Sequence, residues 1–411
     1  MCSLAHGLTG KQTRKHIDNF HSFRFRFLNM LAWLKTHSFV NAFAFPGTRK
    51  ARGVSSYDVH GVPFAGTRKS ATQNDVAQNM QLVWIASDGA PSVMSDMDAL
   101  PAVLVERKEA GKSRARCAVC IAHGNACDAG EMAAEAALWS DALDAHVLVA
   151  EYPGYGVATG QPSEASVDAA VNAVYAFPKT HLQVPPQRIV VFGRSIGTGP
   201  ATALAAAMSQ AGTPPAALLL HAPYLSIRQL AVDLFGAIAN VLLQRWDTLR
   251  NARQVRAPVL LMHAEADQII PYSHAKRLCD DVASRHAEAF AAKTNPAGSP
   301  GGISNVTCTR SRSSRGSSSS CTSPVSDEGG DGMMIMPPVC ELHTQGEECN
   351  HNEYDIVRDV LIPSVSFLKK HSGNSIGRGA KHIALNAAAV AAASGRSTTA
   401  GGNNALPWAK Q

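Results

Sequence analysis

The chain has 411 residues, 45% of them hydrophobic, and a formal net charge of +6. This length and composition allow one large domain with tails, or two modest domains, with a sizeable buried core. The sequence also excludes a membrane-spanning helix, because no apolar run approaches about 18–20 residues. No nucleic-acid-binding motif accompanies the mild positive charge, so we expect no nucleic-acid partner.

The first 75 residues form a basic, aromatic segment. Nine Lys or Arg residues face a single acidic residue, Asp18, in the first 52 positions, and seven of the thirteen phenylalanines lie between Phe20 and Phe45. Basic residues interleaved with aromatic ones favour contact with an anionic membrane surface. A transit peptide, or a helix docked on the main domain, would give the same pattern. Since no signal-peptide pattern is present, we expect an intracellular protein, cytoplasmic or peripheral to a membrane, with organellar targeting left open.

From about residue 80, short apolar runs alternate with alanine-rich segments. The predicted strands are 82–86, 102–106, 117–122, 146–150, 188–193, 216–221 and 258–263, and the predicted helices are 130–142, 164–177, 196–210 and 273–290. Strands without polar alternation are typical of a parallel sheet that is buried on both faces. The pattern therefore predicts a three-layer α/β fold.

The last third of the chain departs from this alternation. Residues 293–336 are rich in serine and glycine and are predicted to be a disordered insertion. A further strand in "MPPVCELHT" and a closing amphipathic helix over 353–371 follow it, and 372–411 is predicted to be a low-complexity tail. The main domain is thus predicted to span 76–371.

Nine cysteines are scattered along the chain, and Cys117 and Cys120 form a C-x-x-C. That spacing raises the alternatives of zinc binding and redox chemistry. The pair, however, lies in an apolar run that indicates a buried strand, in which alternate side chains point to opposite faces, and no second pair has zinc spacing. We therefore expect reduced thiols and neither a metal nor a cofactor.

The stretch "RIVVFGRSIGTGP" contains the pattern G-x-S-x-G at 193–197. An apolar strand precedes the pattern and a helix follows it, and the flanking glycines allow a sharp turn that lifts the serine hydroxyl above the sheet. The N-terminus of the helix favours developing negative charge. Ser195 is therefore predicted to be a nucleophile, and the alternative is an ordinary serine in a glycine-rich turn.

A serine nucleophile needs a base, and the base needs an acid that orients it. In this architecture the acid and then the histidine follow the serine along the chain. Asp267, in the loop after the strand 258–263, is the predicted acid, with Glu265 as a competitor. His351, in the loop before the closing helix, is the predicted base; His343, within a strand, and His371 are the alternatives.

The tetrahedral intermediate of acyl transfer also needs two N–H donors. We assign one to the backbone amide of Ile196, directly after the nucleophile. The other is assigned to the loop after the strand 117–122, where the amides of Asn125 and Ala126 can turn toward Ser195. His123, in the same loop, is predicted to stabilise the loop rather than to act as a second base.

Five motifs resemble those of the α/β-hydrolase superfamily, in the same order and at similar spacing. They are "HGNACDAGEM", "EYPGYGVATGQPSE", "FGRSIGTGP", "HAEADQIIPYSHA" and "HNEYDIV". Within the superfamily they are most similar to the α/β-hydrolase domain-containing protein 17 group. The resemblance covers about residues 80–292 and 338–371. It implies an α/β-hydrolase fold, with a mostly parallel central sheet flanked by helices. For this chain it also implies a triad of Ser195, Asp267 and His351, with Asn125 and Ile196 at the oxyanion site.

The same resemblance implies a serine hydrolase for acyl esters or acyl thioesters, and the depalmitoylating members of the group suggest S-acylated proteins as substrates. The chain departs from the group at its N-terminus, where Cys2 stands in place of a cysteine cluster. The helical stretch 222–257 is too short for a large lid, which favours an open site. Two alternatives stay open. One is a serine peptidase of the prolyl-oligopeptidase type, although residues 1–80 cannot build that group's β-propeller, and the other is a non-catalytic scaffold on the same fold.

Overall fold

A computed structural model of the chain describes Phe45 and residues 80–93, 99–109, 112–113, 115, 117–125, 127–242, 244–294, 309–313, 316–320 and 339–372. The strands are β1 Met80–Ile85, β2 Pro91–Ser92, β3 Leu100–Val105, β4 Lys108–Glu109, β5 Lys112–Ser113, β6 Ala118–Ala122, β7 His146–Ala150, β8 Ile189–Arg194, β9 Ala217–His221, β10 Val259–Ala264, β11 Thr309–Ser313, β12 Gly316–Ser320 and β13 Cys340–Gln345. The α-helices are α1 Ala133–Leu143, α2 Glu164–Thr180, α3 Thr198–Gln210, α4 Ile227–Phe235, α5 Thr248–Ala252, α6 Ser273–Thr294 and α7 Ile362–His371.

One large sheet organises the described residues, in the order β11-β12-β13-β10-β9-β8-β6-β7-β3-β1-β2. The six strands from β13 to β7 pair in parallel, and β3 and β1 pair antiparallel at one edge. Parallel neighbours require helical crossovers, which here lie on both faces of the sheet. The mostly parallel sheet with flanking helices confirms the predicted fold class.

Side chains that alternate along each central strand enter two separate cores. In β7, Val147 and Val149 face one layer, whereas Leu148 and Ala150 face the other. Helices α2, α3 and α6 supply apolar residues to the core on the second side, and α1 and α7 supply those on the first. Burial on both faces explains why these strands have no polar alternation in the sequence.

The closing helix is divided where the sequence predicted one continuous element. A π-helical turn covers Ile356–Leu361, and α7 begins only at Ile362. Pro363 explains the division, because proline has no N–H to continue the hydrogen-bond ladder of the preceding turn and is tolerated in a first helical turn. Asp355 caps the π turn through its side chain, which accepts from the backbone N–H groups of Val357 and Arg358.

Strands β11 and β12 fall inside the predicted insertion 293–336. They pair antiparallel with each other, and β12 pairs with the outer edge of β13 from Ser317↔Thr344 to Ser320↔Glu341. The other residues between 295 and 338 lie outside the described residues, as does the predicted tail from 373 onward. The domain boundaries at these places stay predictions.

Phe45 is the one described residue of the predicted basic, aromatic segment. Its ring is buried, and its centroid lies 5.7 Å from that of Trp246 and 6.4 Å from that of Tyr155, edge-on in both cases. This position therefore packs on the main domain. Among the described residues, no helix combines the length and the apolar composition needed to cross a bilayer.

Candidate active site

Four loops meet at the carboxyl edge of the parallel strands. They follow β6, β8, β10 and β13, and the last three carry Ser195, Asp267 and His351. Because parallel strands end at a common edge, residues far apart in the chain are brought together there. Each of the three residues is less than 10% exposed, at 9%, 7% and 8% in chain order.

The turn that carries Ser195 is sharp and closely packed. Ser195 has a φ of 52°, in the left-handed region that non-glycine residues rarely adopt. A Cβ on Gly193 would lie 2.6 Å from the Gly197 carbonyl oxygen, and a Cβ on Gly197 would clash with the Ala122 carbonyl. The two glycines of the G-x-S-x-G pattern are therefore required by the close approach of β8, α3 and β6, and the strained serine is held between them.

A chain of hydrogen bonds joins the three predicted catalytic side chains. The Oγ atom of Ser195 lies 3.0 Å from Nε2 of His351, and Nδ1 of His351 lies 2.8 Å from Oδ2 of Asp267. An ionised Asp267 can only accept, so Nδ1 of His351 carries the proton. Nε2 is then the acceptor for the Ser195 hydroxyl, which is the arrangement that a general base requires.

Asp267 is held from several sides. Its Oδ1 accepts from the backbone N–H groups of Ile269 and Ile270, both at 2.8 Å, and its Oδ2 lies 3.2 Å from Nε2 of His263 as well as close to His351. Burial opposes ionisation of this carboxyl, but the hydrogen bonds from His263, His351 and the Ile270 backbone outweigh it, and the pKa of Asp267 stays well below its usual range. The acid is therefore ionised and fixed in orientation.

The pKa of His351 is lowered from its ordinary value. Burial disfavours the imidazolium, and the guanidinium of Arg194 acts in the same direction, while the Asp267 carboxylate opposes both. The ring is consequently neutral at neutral pH. Neutral imidazole is the form that can take a proton from Ser195.

The competing candidates lie elsewhere. Glu265 is exposed, whereas Asp267 is buried against His351. His343 lies within β13, opposite Met262 of β10, and Nε2 of His371 contacts Oε1 of Glu341 at 2.7 Å. The structure thus brings His351, and neither alternative histidine, to within hydrogen-bond distance of Ser195.

The loop after β6 passes directly beside the nucleophile. A Cβ on Gly124 would lie 3.7 Å from the Cβ of Ser195. Oδ1 of Asn125 accepts from the Tyr155 hydroxyl at 2.7 Å, and the carbonyl of Ile196 accepts from Tyr224 at 3.1 Å. Tyrosine hydroxyls therefore anchor both segments to which the oxyanion donors are assigned. Ala126 lies outside the described residues.

A buried ionisable pair lies behind that loop. Nδ1 of His123 donates to the Gly124 carbonyl at 2.8 Å, and its Nε2 lies 3.3 Å from Oε1 of Glu151. Glu151 also accepts from the backbone of Ala129 and Tyr152, at 3.1 and 3.0 Å. These contacts fix the start of the loop, in agreement with the supporting role predicted for His123.

The two cysteines of the C-x-x-C point in opposite directions. Sγ of Cys117 lies 3.8 Å from the Leu143 carbonyl on one side of the sheet, and Sγ of Cys120 lies 3.6 Å from the Val174 carbonyl on the other. Burial raises the pKa of Cys117 to about 12 and that of Cys120 still further. Over the part of the chain that the structure describes, no group of three or more His, Cys, Asp or Glu side chains is arranged to hold a metal ion.

Three residues of the site were missed by sequence reasoning: Arg194, His263 and Glu151. Arg194 is the first of the two variable residues of G-x-S-x-G, and His263 stands four residues before Asp267, near the end of β10. Glu151 directly follows the four apolar residues that end β7, and a charged residue in that position is the one local signal that could have been noticed. The contacts of Arg194 depend on the distant loop that carries His351, and those of His263 depend on the path of the loop directly after β10.

Known proteins are similar in sequence to part of this chain. No family model matches the chain. Alpha/beta hydrolase domain-containing protein aho-3 of Caenorhabditis elegans is 32% identical over 154 residues, which are 38% of this chain and 44% of that protein. Alpha/beta hydrolase domain-containing protein 17C of Homo sapiens is 30% identical over 154 residues, 38% of this chain and 45% of that protein. Over these residues the chain is similar in sequence to α/β-hydrolase domain-containing proteins.

The resemblance to the α/β-hydrolase domain-containing protein 17 group, predicted from five motifs, is thereby confirmed. The match spans less than half the length of these relatives. Among solved structures, the alpha-beta hydrolase from Vibrio vulnificus is similar with a TM-score of 0.40 and 19% identity, over 50% of this chain and 70% of that one.

Proposed function

We propose that the protein is a serine hydrolase that cleaves ester or thioester bonds through an acyl-Ser195 intermediate. The observation that carries the proposal is the hydrogen-bond chain from Ser195 through His351 to Asp267, with the serine at a strained turn above the sheet edge. Nucleophile, base and orienting acid in this geometry are the elements of the serine hydrolase mechanism.

In the acylation step, Oγ of Ser195 attacks the carbonyl carbon of the substrate and its proton passes to Nε2 of His351. Asp267 stays ionised and stabilises the imidazolium that forms. The negative charge on the carbonyl oxygen is stabilised by the backbone N–H groups of Ile196 and Asn125, and removal of one such donor costs about 3–4 kcal/mol in other enzymes. Collapse of the intermediate expels a thiolate or alkoxide, which takes the proton back from His351.

In the deacylation step, a water molecule takes the place of the leaving group. His351 removes one proton from the water as its oxygen attacks the acyl carbon, and it then returns that proton to Oγ of Ser195. The products are a carboxylic acid and the free enzyme. No metal or cofactor takes part in either step.

For the substrate class we propose long-chain acyl thioesters on proteins at a membrane surface. The resemblance to the α/β-hydrolase domain-containing protein 17 group supports this choice. The stretch between β9 and β10 supports it as well, since its described residues contain only α4, the 3-10 turn Ala237–Val241 and α5, which are too short for a large lid. A site with so little cover leaves room for an acyl group that is attached to a protein.

An activity-based probe tests the catalytic proposal. A fluorophosphonate is expected to label the intact protein and the variant Ser284→Ala, which changes an exposed serine on α6, but not Ser195→Ala. Absence of labelling in the intact protein would favour the non-catalytic scaffold. Labelling that survives Ser195→Ala would also contradict the proposal.

Matched substrates test the bond that is cleaved. One palmitoyl chain is offered as a thioester, an oxyester and an amide of the same peptide, with Ser195→Ala as the blank. Hydrolysis of the thioester and the oxyester, with the amide intact, is the expected result. Preferred cleavage of peptide amides would instead indicate the peptidase alternative.

Membrane contact by residues 11–45 of the basic, aromatic segment is a separate proposal. It is tested by changing Lys11, Arg14, Lys15, Arg24 and Arg26 to Gln, which leaves the buried Phe45 in place. We expect the intact protein to sediment with vesicles that contain phosphatidylserine and the variant to stay in solution. Equal sedimentation of the two proteins would reject an electrostatic contact.

A further inference from the structure

Arg194 lies between the two catalytic loops. It is the last residue of β8 and directly precedes Ser195, yet its side chain turns away from the nucleophile toward the loop that carries His351. The Nη1 atom of its guanidinium would lie 3.3 Å from a Cβ on Gly124, so the group also borders the loop after β6. A single side chain thus contacts the surroundings of the nucleophile, the base and the oxyanion loop.

The guanidinium contacts three residues of the base loop. Its Nη2 atom donates to the backbone carbonyl of His351 and to Oδ1 of Asn352, both at 3.2 Å. Its Cζ atom lies 5.0 Å from the centroid of the Tyr354 ring, which is within the range of a cation–π interaction. Arginine can make such contacts at once because its planar fork carries five donors and a stacking face.

The loop that receives these contacts is itself well ordered by local hydrogen bonds. Oδ1 of Asn350 accepts from the backbone N–H groups of Asn352 and Glu353, both at 3.0 Å, and Nδ2 of Asn350 donates to Oε2 of Glu353 at 2.7 Å. A loop with this internal bonding moves as a unit. Holding it through its carbonyl at His351 therefore orients the imidazole attached to the same residue.

We propose that Arg194 is a positioning residue that sets the distance and angle between the His351 imidazole and the Ser195 hydroxyl. It is covalently joined to Ser195 and bonded to the backbone of His351, so it connects nucleophile and base outside the catalytic hydrogen bond. This inference rests on the proposed serine hydrolase function. Misplacement of reacting groups by about 1 Å costs on the order of 10²-fold in rate.

The charge of Arg194 makes this positioning role testable through the pH dependence of activity. The groups that face His351 are Asp267 from the acid loop, His263 of β10, His221 of β9 and Arg194 of β8. Burial and Arg194 lower the pKa of His351 and Asp267 raises it. Removal of the guanidinium charge therefore raises that pKa, and the pH at which activity is half-maximal moves upward.

The test compares second-order rates of fluorophosphonate labelling at Ser195 across pH 4–9. In Arg194→Met we expect about 10- to 100-fold slower labelling and an upward shift of the pH midpoint. In Arg194→Lys we expect slower labelling with the midpoint unchanged, since lysine keeps the charge but cannot contact the same three partners. Arg256→Met, the same change at an exposed arginine, should label like the wild type.

Variants of the partners keep the proposal falsifiable if Arg194→Met does not fold. Asn352→Ala, at an exposed position, and Tyr354→Leu each remove one contact of the guanidinium, and each should slow labelling with little change in Tm. Where Arg194→Met does fold, Asn352→Ala should add no further loss in that background. Wild-type rates in both partner variants would overturn the proposal, as would an Arg194→Met variant with wild-type rate and midpoint.

Failure of the inference and failure of the proposed function give different results. If the wild type is not labelled at Ser195, the proposed function and the inference about Arg194 are both wrong. If the wild type is labelled in a Ser195-dependent way and the Arg194 and partner variants match it, the inference alone is wrong and the serine hydrolase proposal stands.

Discussion

At the scale of single residues, His351 is subject to opposing influences. Burial and the charge of Arg194 lower the pKa of its imidazole below the ordinary value of 6.5, and Asp267 opposes them. The neutral ring is the active base, so activity is absent below the pKa and rises as the pH increases through it. We predict a midpoint of kcat/KM below pH 6.5 and a plateau through neutral pH. A profile of acyl-ester hydrolysis against pH measures it, and a midpoint above 6.5 would contradict the charge balance described for His351.

His263 is a second residue whose effect can be isolated. Its Nε2 atom lies 2.8 Å from the carbonyl of Ile270 and 3.2 Å from Oδ2 of Asp267, so it closes the acid loop and borders the acid. We predict that His263→Leu lowers kcat about 10- to 100-fold with a smaller change in KM, because the loop loses its hold on Asp267. His181→Leu, at an exposed histidine, is the control. Equal kcat values in the two variants would show that Asp267 is held without His263.

At the scale of elements, the close contact of α3 with β6 gives a prediction about stability. A Cβ on Gly197 would clash with the Ala122 carbonyl and lie 2.6 Å from the carbonyl of His123, both of them backbone atoms that cannot rotate away. We predict that Gly197→Ala lowers the free energy of unfolding by about 1–3 kcal/mol. Urea denaturation measures the loss, and Ala207→Ser, on the exposed side of α3, should stay within about 0.5 kcal/mol of the wild type. A Gly197→Ala variant as stable as this control would mean that α3 can move away from β6.

The elements also show which structural features local sequence patterns can predict. Strand β7 and the start of α2 were predicted to the residue, from an apolar run and from an alanine-rich segment. In the structure the side chain of Ser163 caps α2. The division of the closing helix at Pro363 could have been read from the sequence as well, because proline marks a first helical turn. Periodicity alone predicted a continuous helix because the apolar spacing continues across Leu361 and Ile362.

At the scale of the whole molecule, the order of residues along the chain predicts some features of the site and not others. The order of serine, acid and histidine is a property of the topology, so the motifs were enough to predict which residues would meet. The contact between Arg194 and His351 joins residues 157 positions apart, and it depends on the path of a loop that no local pattern encodes. Glu151 is similar, because its partners His123 and Ala129 both lie in the loop after β6, away from its own strand β7.

The outer edge of the sheet gives the last prediction. Strand β13 carries His351 in the loop after it, and on its outer side it pairs only with β12 among the described strands. An unpaired strand edge is prone to pair with another molecule. The β11–β12 hairpin therefore protects the edge without contributing a residue to the triad.

Replacement of residues 295–338 by a twelve-residue Gly/Ser linker would remove the hairpin. Cys279 of α6 contacts Cys340 of β13, and α6 continues for fifteen residues beyond Cys279, a length of about 22 Å. Twelve extended residues reach about 40 Å, so the linker is long enough to return from the end of α6 to β13. We predict Ser195 labelling within about twofold of the wild type and faster aggregation, measured by light scattering. A second variant that keeps 309–320 and shortens only the flanks is the control and should not aggregate faster. If only the first variant loses labelling, the hairpin supports the His351 loop through β13. If the two variants aggregate at the same rate, the β13 edge is protected in some other way.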